Sequence, residues 1–488
     1  MRVMARWVVR GALLFLLTFT NVHDIWSPDV VPNALLDWSI VRQGNVDFDE
    51  LVVPPGTAAS AIPAGDPGIP ADSYFFRPCG RSAGFAWPNA STQGSPRSPG
   101  GPPPPGPGDR VCSIFPPGVS LLALPVIAPF VLAGASPADG ALVVRAGHLA
   151  AAIVETIAAL LLWSVLRRFT SVRWALALVL LYWLGTSVRT VAAQALWQHA
   201  GVHLAIALGL WLVLREGPIS LARELLAGIA LGFGVVVRQT TLVPLVAFER
   251  FFGGASWRAR AVLIVGAAIG VIPLVAYNAV AFGSPAEQGY GPKLFTTPPL
   301  TGLYGLLLSP SRGLLVYEPW AIAALVALGL AWRRPGPVAE RLRTLGLGWV
   351  VLLVFYALYV EWWGGRVFGP RFLDDMAPVL VAALGWGIGQ GLLARTWSRV
   401  LFWVAAAWSL LLFNAAALVF DPNGWDTVPT NVNFDTSRLF SWSDPQWLSV
   451  LWSLGHADVR VLLAALLSAL ILALLLRLEL RVDQRSAG

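Results

Sequence analysis

Charge is scarce in this sequence. Of its 488 residues only 12% are Asp, Glu, Lys or Arg, while 56% are hydrophobic. Soluble globular domains carry about 25% charged residues, so the composition excludes that class. The mean hydropathy of +0.66 points the same way. We therefore predict an all-α polytopic membrane protein that forms a single integral-membrane domain over residues 1–488.

Lysine is almost absent, since Lys293 is the only one, and the formal net charge of +7 therefore comes from arginine. The arginines form clusters between apolar runs, and short loops rich in Lys or Arg stay in the cytoplasm. This predicts that both termini are cytoplasmic. The net positive charge is thus explained by arginines in cytoplasmic loops, and no nucleic-acid partner is expected. The clusters are Arg2, Arg6 and Arg10; Arg167, Arg168 and Arg173; Arg215 and Arg223; Arg250, Arg258 and Arg260; Arg333, Arg334, Arg341 and Arg343; Arg395 and Arg399; and Arg477, Arg481 and Arg485.

The apolar runs between these clusters predict about 12 transmembrane helices, within a range of about 11 to 13. Asn21 to Asp24 offers no small-residue cleavage site, so the first helix is expected to be retained. The apolar segment 117–134 is short and contains prolines, and we predict that it is re-entrant or interfacial. The predicted spans are 5–22, 142–166, 174–189, 200–214, 222–237, 240–250, 261–281, 318–332, 344–360, 373–392, 399–419 and 459–476.

Only two cysteines are present, Cys79 and Cys112, and both lie in a long first extracytoplasmic loop, residues 23–117. An even pair in an oxidising compartment favours a disulfide, and two free thiols are the alternative. The loop begins with a partly apolar stretch, Ile25–Val46, that predicts a surface-lying helix. It also contains a Pro/Gly-rich insertion, 95–108, which is typical of a flexible spacer. Further extracytoplasmic loops are predicted at 190–199, around 238–241, and at 277–317, 361–372 and 420–458.

Carboxylates follow the first helix at the predicted water–membrane boundary, where Asp24 and Asp29 stand. A carboxylate there can act as a general base or bind a divalent cation, and a solvated loop is the alternative. Trp197, Gln198 and His199 lie at a helix mouth and can hydrogen-bond a sugar or phosphate. Helix capping and an interfacial aromatic belt would explain them equally well.

Arginines in the external connections are candidates for a lipid phosphate, because guanidinium pairs bidentately with phosphate. Arg238 stands alone between two apolar runs, where snorkelling to lipid headgroups is the alternative explanation. Paired tryptophans beside two arginines on one short loop can stack on a sugar while the arginines hold a phosphate. The further candidates for contacts with the phosphate or the sugar are Arg312, Tyr290 and Lys293 in one external loop, and Glu361, Trp362, Trp363, Arg366 and Arg371 in the next.

Five segments together resemble bacterial integral-membrane glycosyltransferases of the GT-C superfamily, which include glycosyltransferase family 39, the protein O-mannosyltransferases and the lipid A aminoarabinose transferases. The resemblance covers most of the chain. Phe115–Gly118 stands where the last two branches have a His/Lys-Pro-Pro-Leu signature, so the acceptor is left open. The segments are Asp29–Glu50, Pro116–Gly118, Ala195–His199, Ser309–Leu315 and Trp362–Arg371.

The resemblance implies a GT-C-like fold in the bacterial inner membrane and a donor sugar carried on a polyprenyl phosphate. It implies transfer on the extracytoplasmic face to a lipid, glycan or protein. The sequence shows no nucleotide-binding glycine loop, which is consistent with a lipid-linked donor and not a nucleotide sugar. By the same resemblance the essential acid of the first loop is Asp29, with Asp24 as runner-up. Family members differ in their need for a divalent cation, Mg²⁺ or Mn²⁺. Arg238, Arg312, Arg366 and Arg371 are its candidates for the donor phosphate.

Two other functions remain open at this level. A transporter or lipid flippase of the cell envelope predicts inverted repeats and ionisable groups at mid-membrane. Glu155 and His148 are its main candidates, each expected near a helix end, but no repeat is found. A non-catalytic membrane assembly factor would tolerate replacement of its external carboxylates.

Overall fold

The computed structural model describes residues 2–21, 25, 27–62, 67–80, 105–106, 108–249, 256–287, 289–290 and 295–486. It is mostly helical in these ranges, with a few very short strands. The helices are α1 (Arg2–Thr18), α2 (Val30–Gln43), α3 (Gly118–Leu132), α4 (Gly140–Leu166), α5 (Val172–Leu184), α6 (Gln198–Val213), α7 (Leu221–Val237), α8 (Leu242–Glu249), α9 (Trp257–Phe282), α10 (Pro299–Leu308), α11 (Leu314–Tyr317), α12 (Ala321–Ala331), α13 (Pro337–Leu358), α14 (Ala377–Gly389), α15 (Thr396–Val419), α16 (Gln446–Gly455) and α17 (Val459–Ser486). The strands are β1 (Val52–Val53), β2 (Ile69–Pro70), β3 (Phe76–Pro78) and β4 (Val111–Ser113).

Five of the described helices are long and apolar enough to cross a membrane: α4, α9, α13, α15 and the Val459–Leu478 part of α17. Helix α9 exposes Ile264, Ile269 and Ile272, a surface that suits lipid and not water. The protein is therefore membrane-embedded. The count of about 12 spans stays a prediction, because the other helices are shorter. Helix α8, for example, has eight residues, about 12 Å of the ~30 Å hydrocarbon core.

Short polar side chains begin several of the long helices. The carboxylate of Asp139 accepts a hydrogen bond from Leu142 N at 3.0 Å before α4. Ser171, Ser220 and Ser256 do the same before α5, α7 and α9. Each side chain satisfies a backbone N–H that the first helical turn leaves unpaired. These caps explain where α4, α5, α7 and α9 begin.

Glycines allow helices α7 and α9 to pack backbone against backbone. A Cβ on Gly228 would lie 2.1 Å from Leu263 O, and one on Gly232 would lie 2.3 Å from Ala267 O. Small residues spaced four apart are a common means of close helix contact in membranes. This contact fixes the ends of α7 and α9 relative to each other, and polar residues of the candidate site follow both ends.

Helix α2 differs from the surface-lying helix that its sequence predicts. It is shorter than Ile25–Val46, and most of its residues are buried, because α3 and α4 cover it. Asn33 Nδ2 donates to Leu196 O at 3.0 Å, and Ser120 Oγ donates to Asn33 O at 2.7 Å. The polar residues Asn33, Asp37 and Ser39 are buried together with the apolar ones, which places α2 inside the protein. Its packing holds Asp29, the residue immediately before α2.

The first loop forms a small antiparallel hairpin, β3 with β4, closed by a Cys79–Cys112 disulfide. The hairpin lies against the C-terminal end of α9, where Gly80 N donates to Ala281 O at 2.8 Å. The buried guanidinium of Arg77 reinforces this contact, 3.4 Å from a carboxylate oxygen of Glu287. Residues 95–104 and 107 of the Pro/Gly-rich insertion lie outside the described residues.

We predict that Gly232→Ala lowers the stability of the purified protein by about 1–3 kcal/mol, because its methyl group would overlap the α9 backbone. Gly329→Ala is the matched control, since it is also helical but no atom lies within 4 Å of the position that its methyl group would take. It should be neutral or stabilising by up to about 1 kcal/mol. Thermal unfolding in detergent measures both, and equal unfolding temperatures would contradict the α7–α9 contact.

Candidate functional site

Polar side chains from several helix ends meet at one place. Asp29 precedes α2, Trp197 precedes α6, Arg238 follows α7 and Arg371 precedes α14. Tyr74 joins them from the segment just before β3. We call this set the helix-end cluster, and it consists of Asp29, Tyr74, Trp197, His199, Arg238, Tyr290, Arg371 and Asp375.

The carboxylate of Asp29 is half-buried and faces the cluster instead of capping α2. Its Oδ1 accepts a hydrogen bond from the hydroxyl of Tyr74. Burial, and then the charge of Asp29, raises the pKa of Tyr74 well above its ordinary value, so the hydroxyl stays protonated and keeps donating. Within the described part of the chain, Oδ2 of Asp29 has no hydrogen-bond donor. One carboxylate oxygen is thus held while the other is available.

Arg371 is fixed in place but its hydrogen-bonding capacity is unused. Its guanidinium carbon lies 4.7 Å from the ring centre of Trp197 and 5.2 Å from that of Phe372. It makes no hydrogen bond or ion pair with any described residue, and its Nε is buried. Burial, and also the charge of Arg238, lowers the pKa of Arg371, while Asp29 raises it. Arginine nevertheless stays charged in proteins, so this is a pre-positioned cation with free donors.

Arg238 is the second cation of the cluster, and Asp375 anchors it. Its Nη1 lies 3.2 Å from Oδ2 of Asp375, whose Oδ1 lies 2.7 Å from Nδ1 of His199. Burial alone would lower the pKa of Arg238, but Asp375 raises it overall, so Arg238 stays charged. Asp375 pairs with it as the carboxylate. Nε and Nη2 of Arg238 make no hydrogen bond with a described residue.

The two arginines lie on a shared aromatic ring. Phe372 has Arg238 at 5.1 Å and Arg371 at 5.2 Å from its centre. The charge of Arg238 lowers the pKa of Arg371, as expected of two cations that repel each other. An anion bound between them would remove that repulsion and use the free donors of both. The oxygens of one phosphate can accept hydrogen bonds from both guanidinium groups, whereas a single carboxylate has fewer acceptor oxygens.

Gln198 and Tyr290 line the same place. Gln198 Nε2 donates to the Tyr290 hydroxyl at 3.1 Å, and the Tyr290 ring meets the edge of Phe115 at 5.6 Å. Burial raises the pKa of Tyr290 above its ordinary value, so it too remains a neutral phenol. The predicted set Trp197, Gln198, His199 and Tyr290 is thus brought together with both arginines. The candidates Asp24 and Lys293 lie outside the described residues.

Arg312 is placed differently from Arg371. It is only 1% exposed, its Nη2 lies 2.6 Å from Asp426 Oδ1, and its Nε donates to Trp363 O at 3.2 Å. Further bonds to Ser311 O and Gly365 O engage the rest of the guanidinium. These contacts give Arg312 a structural explanation, and it is left out of the site proposed below.

The remaining predicted residues connect the 361–372 loop to the 420–458 segment. Trp363 Nε1 donates to Asn433 Oδ1 at 3.0 Å, and the ring of Trp362 lies 5.4 Å from that of Phe440. Glu361 accepts from the Tyr359 hydroxyl at 2.7 Å, and Arg366 Nη1 donates to Asn423 Oδ1 at 2.9 Å. The structure does not bring these four candidates, Glu361, Trp362, Trp363 and Arg366, into contact with the helix-end cluster.

A buried polar network lies behind the cluster. Oδ2 of Asp374 accepts a hydrogen bond from Ser187 N at 2.9 Å. The backbone carbonyl oxygen of Asp374 lies 2.8 Å from Nε2 of His203. Nδ1 of His203 lies 3.1 Å from Oε2 of Glu155. The sequence predicts Glu155 near a helix end, which is wrong: it lies in the middle of α4, where His203 and Tyr182 make its burial tolerable. The other transporter candidate, His148, stacks on Phe19 at 4.4 Å.

Two members of the cluster, Tyr74 and Asp375, were missed by sequence reasoning. Asp375 had a signal, because Asp374 and Asp375 form an acidic pair at the start of a predicted membrane helix. Ionisable groups at such positions are costly unless paired or used. Tyr74 had no such sequence signal, because a single tyrosine in a long loop belongs to no recognisable motif.

A divalent cation does not fit this arrangement well. No three His, Cys, Asp or Glu side chains of the described residues lie close enough to hold a metal ion together. The cluster offers only Asp29 and the already paired Asp375, next to two arginines, whereas Mg²⁺ and Mn²⁺ prefer several oxygen ligands. No step below depends on a metal.

The chain was also compared with known proteins. No protein-family model, no curated protein and no solved structure matches it.

Arg312 and Arg371 should respond differently to the same substitution. Arg312→Gln leaves Asp426 buried and unpaired, so we predict a loss of about 3–5 kcal/mol in stability. Arg371→Gln removes two ring contacts and the attraction to Asp29, but also the repulsion from Arg238 and the cost of a desolvated charge, so the loss should be smaller, about 1 kcal/mol. Chemical unfolding in detergent micelles compares them. A large loss from Arg371→Gln would show that this residue, too, is mainly structural.

Proposed function

We propose that the protein is a GT-C-type membrane glycosyltransferase, which moves a sugar from a polyprenyl-phosphate donor to an extracytoplasmic acceptor. The observation that carries the proposal is the guanidinium of Arg371. It is held against Trp197, has unused donors, and interacts with the charges of Asp29 and Arg238. A purely structural arginine would have its donors engaged within the chain, as Arg312 does.

The donor phosphate would lie between Arg371 and Arg238. Its negative charge offsets the repulsion between the two guanidinium groups that share the Phe372 ring. Asp375 already fixes one edge of Arg238, so the remaining N–H groups can point at the ligand. As the sugar departs, negative charge grows on the phosphate, and fixed cations stabilise that charge most.

Asp29 would act as the general base. Its carboxylate takes the proton from an acceptor hydroxyl or amine, and the acceptor oxygen or nitrogen forms a bond to the anomeric carbon. The bond between that carbon and the phosphate oxygen breaks, and its electron pair leaves with the polyprenyl phosphate. Attack opposite the leaving group inverts the anomeric configuration. A base held by one oxygen and free at the other suits this task.

Trp197, Gln198 and Tyr290 are the residues proposed to contact the sugar. An indole can stack on the apolar face of a sugar, and the amide and phenol can bond its hydroxyls. The acceptor is a lipid, a glycan or a protein. The topology that goes with this proposal has about 12 spans, both termini in the cytoplasm and the cluster on the extracytoplasmic face of a bacterial inner membrane.

A lipid flippase or transporter is the second candidate, and one observation favours it. The network of Glu155, His203, Tyr182 and Asp374 places ionisable groups inside the protein, as proton-coupled carriers do. The two candidates differ in chemistry, because a flippase moves its lipid intact and a transferase breaks the bond between sugar and phosphate.

The experiment is mass spectrometry of the envelope glycans and glycolipids from cells with the intact gene, the deleted gene, or Asp29→Asn at normal protein level. We predict that one sugar disappears from an acceptor in both altered strains, because the amide cannot accept the acceptor proton. Asp109→Asn, a change of the same kind elsewhere in the first loop, is the control and should retain the sugar.

The other outcomes are informative. A sugar lost on deletion but retained in Asp29→Asn would place the base elsewhere, with Asp24 first, or favour the flippase. An unchanged deletion strain would remove the support for glycosyl transfer.

A further inference from the structure

Asp29 and Arg371 have opposite charges and lie close enough to affect each other, yet they form no ion pair. In a half-buried setting such a pair would be favourable. It would also be unproductive for the proposed function, since it would use both the proton acceptor and the phosphate-binding donors. Arg371 lies instead against the rings of Trp197 and Phe372.

Tyr74 is the described group that does hold Asp29. Its hydroxyl donates to Asp29 Oδ1 across 45 residues of sequence, and no other side chain of the described residues donates to that carboxylate. Among the described residues, three titratable groups interact with Asp29: Tyr74 from the first loop by a hydrogen bond, and Arg371 from the segment before α14 and Tyr290 from the segment after α9 through charge. Of these, only Tyr74 contacts the carboxylate by a hydrogen bond.

The position of Tyr74 is fixed by the β3–β4 hairpin. Its ring lies 5.1 Å from that of Phe75, which in turn lies 4.7 Å from the fully buried Phe76. Ile114 N donates to Phe75 O at 2.9 Å, and the Cys79–Cys112 disulfide closes the hairpin just beyond. The hairpin is supported both by α9 and by the segment after α2, where Phe48 N donates to Val111 O at 2.8 Å. Tyr74 therefore reaches Asp29 from outside α2.

We propose that Tyr74 is a positioning residue, which keeps the Asp29 carboxylate away from Arg371 and so leaves both groups free for the donor and acceptor. This inference depends on the function proposed above. It adds a role for the hairpin, which places a hydroxyl at the site although it contributes no group to the reaction itself.

The test measures binding of farnesyl phosphate, a short polyprenyl phosphate without a sugar, by native mass spectrometry of the full-length protein. Four proteins are compared: wild type, Tyr74→Phe, Asp29→Asn and the double variant. In Tyr74→Phe the carboxylate is released to pair with Arg371, so we expect binding to weaken about tenfold, the size of one charge-assisted hydrogen bond. Asp29→Asn should bind at least as well as wild type.

The double variant separates positioning from a loss of structure. Without a carboxylate nothing competes for Arg371, so Asp29→Asn should restore binding to Tyr74→Phe. A double variant as weak as Tyr74→Phe would overturn the proposal, as would unchanged binding in Tyr74→Phe. Tyr277→Phe is the matched control: it removes a buried hydroxyl that contacts Ser113 O at 3.4 Å in the same hairpin, and it should bind normally. Equal weakening there would point to displacement of the hairpin.

The result also distinguishes the two proposals. Absence of binding in the wild type would contradict the proposed phosphate site itself. Normal wild-type binding that ignores Tyr74 would contradict only the positioning role.

Discussion

Two positive charges on one phenyl ring are the constraint on which the rest of the site depends. Arg238 and Arg371 lie 5.1 and 5.2 Å from the centre of Phe372, and Asp375 neutralises only the first. Keeping the second guanidinium charged and without hydrogen bonds lowers the stability of the protein, because burial and like charge both disfavour it. An anionic ligand resolves this conflict, and a phosphate provides enough oxygens for both groups.

The scaffold supports that arrangement by bringing helix ends together. Each charged or aromatic group sits where an apolar helix starts or stops, so backbone polarity and side-chain charge concentrate at one place while the helix interiors stay apolar. The glycine contact between α7 and α9 and the hairpin on α9 set the spacing. Behind the cluster, Asp374 and Asp375 connect it to a buried His203–Glu155 pair, which gives neighbouring carboxylates separate partners.

Much of this could be predicted from sequence, because charge is rare enough in the chain for each external arginine or acid to stand out. Asp29, Arg238 and Arg371 stand out in that way, and Trp197 stands out by its place at a helix mouth. The structure brings the four together, and their roles are proposals. Sequence could not separate Arg371 from Arg312. Both are loop arginines near aromatic residues, and only their acceptors distinguish them.

Other features depend on contacts between distant segments. Tyr74 meets Asp29 only because the hairpin and α2 pack into the same core, and no local pattern encodes that meeting. The partly apolar sequence of α2 predicts a surface-lying helix, because such a composition suits a membrane boundary as well as a protein interior. In the structure α3 packs over α2, so that α2 lies in the interior.

The most direct measurement is the fate of the donor lipid when the purified protein is placed in liposomes with polyprenyl-phosphate sugars and an envelope acceptor fraction. Mass spectrometry follows the free polyprenyl phosphate. We predict that it accumulates with the wild-type protein and not with Asp29→Asn. If the sugar-bearing lipid instead crosses the bilayer intact and no free polyprenyl phosphate forms with any donor, glycosyl transfer by this protein is contradicted.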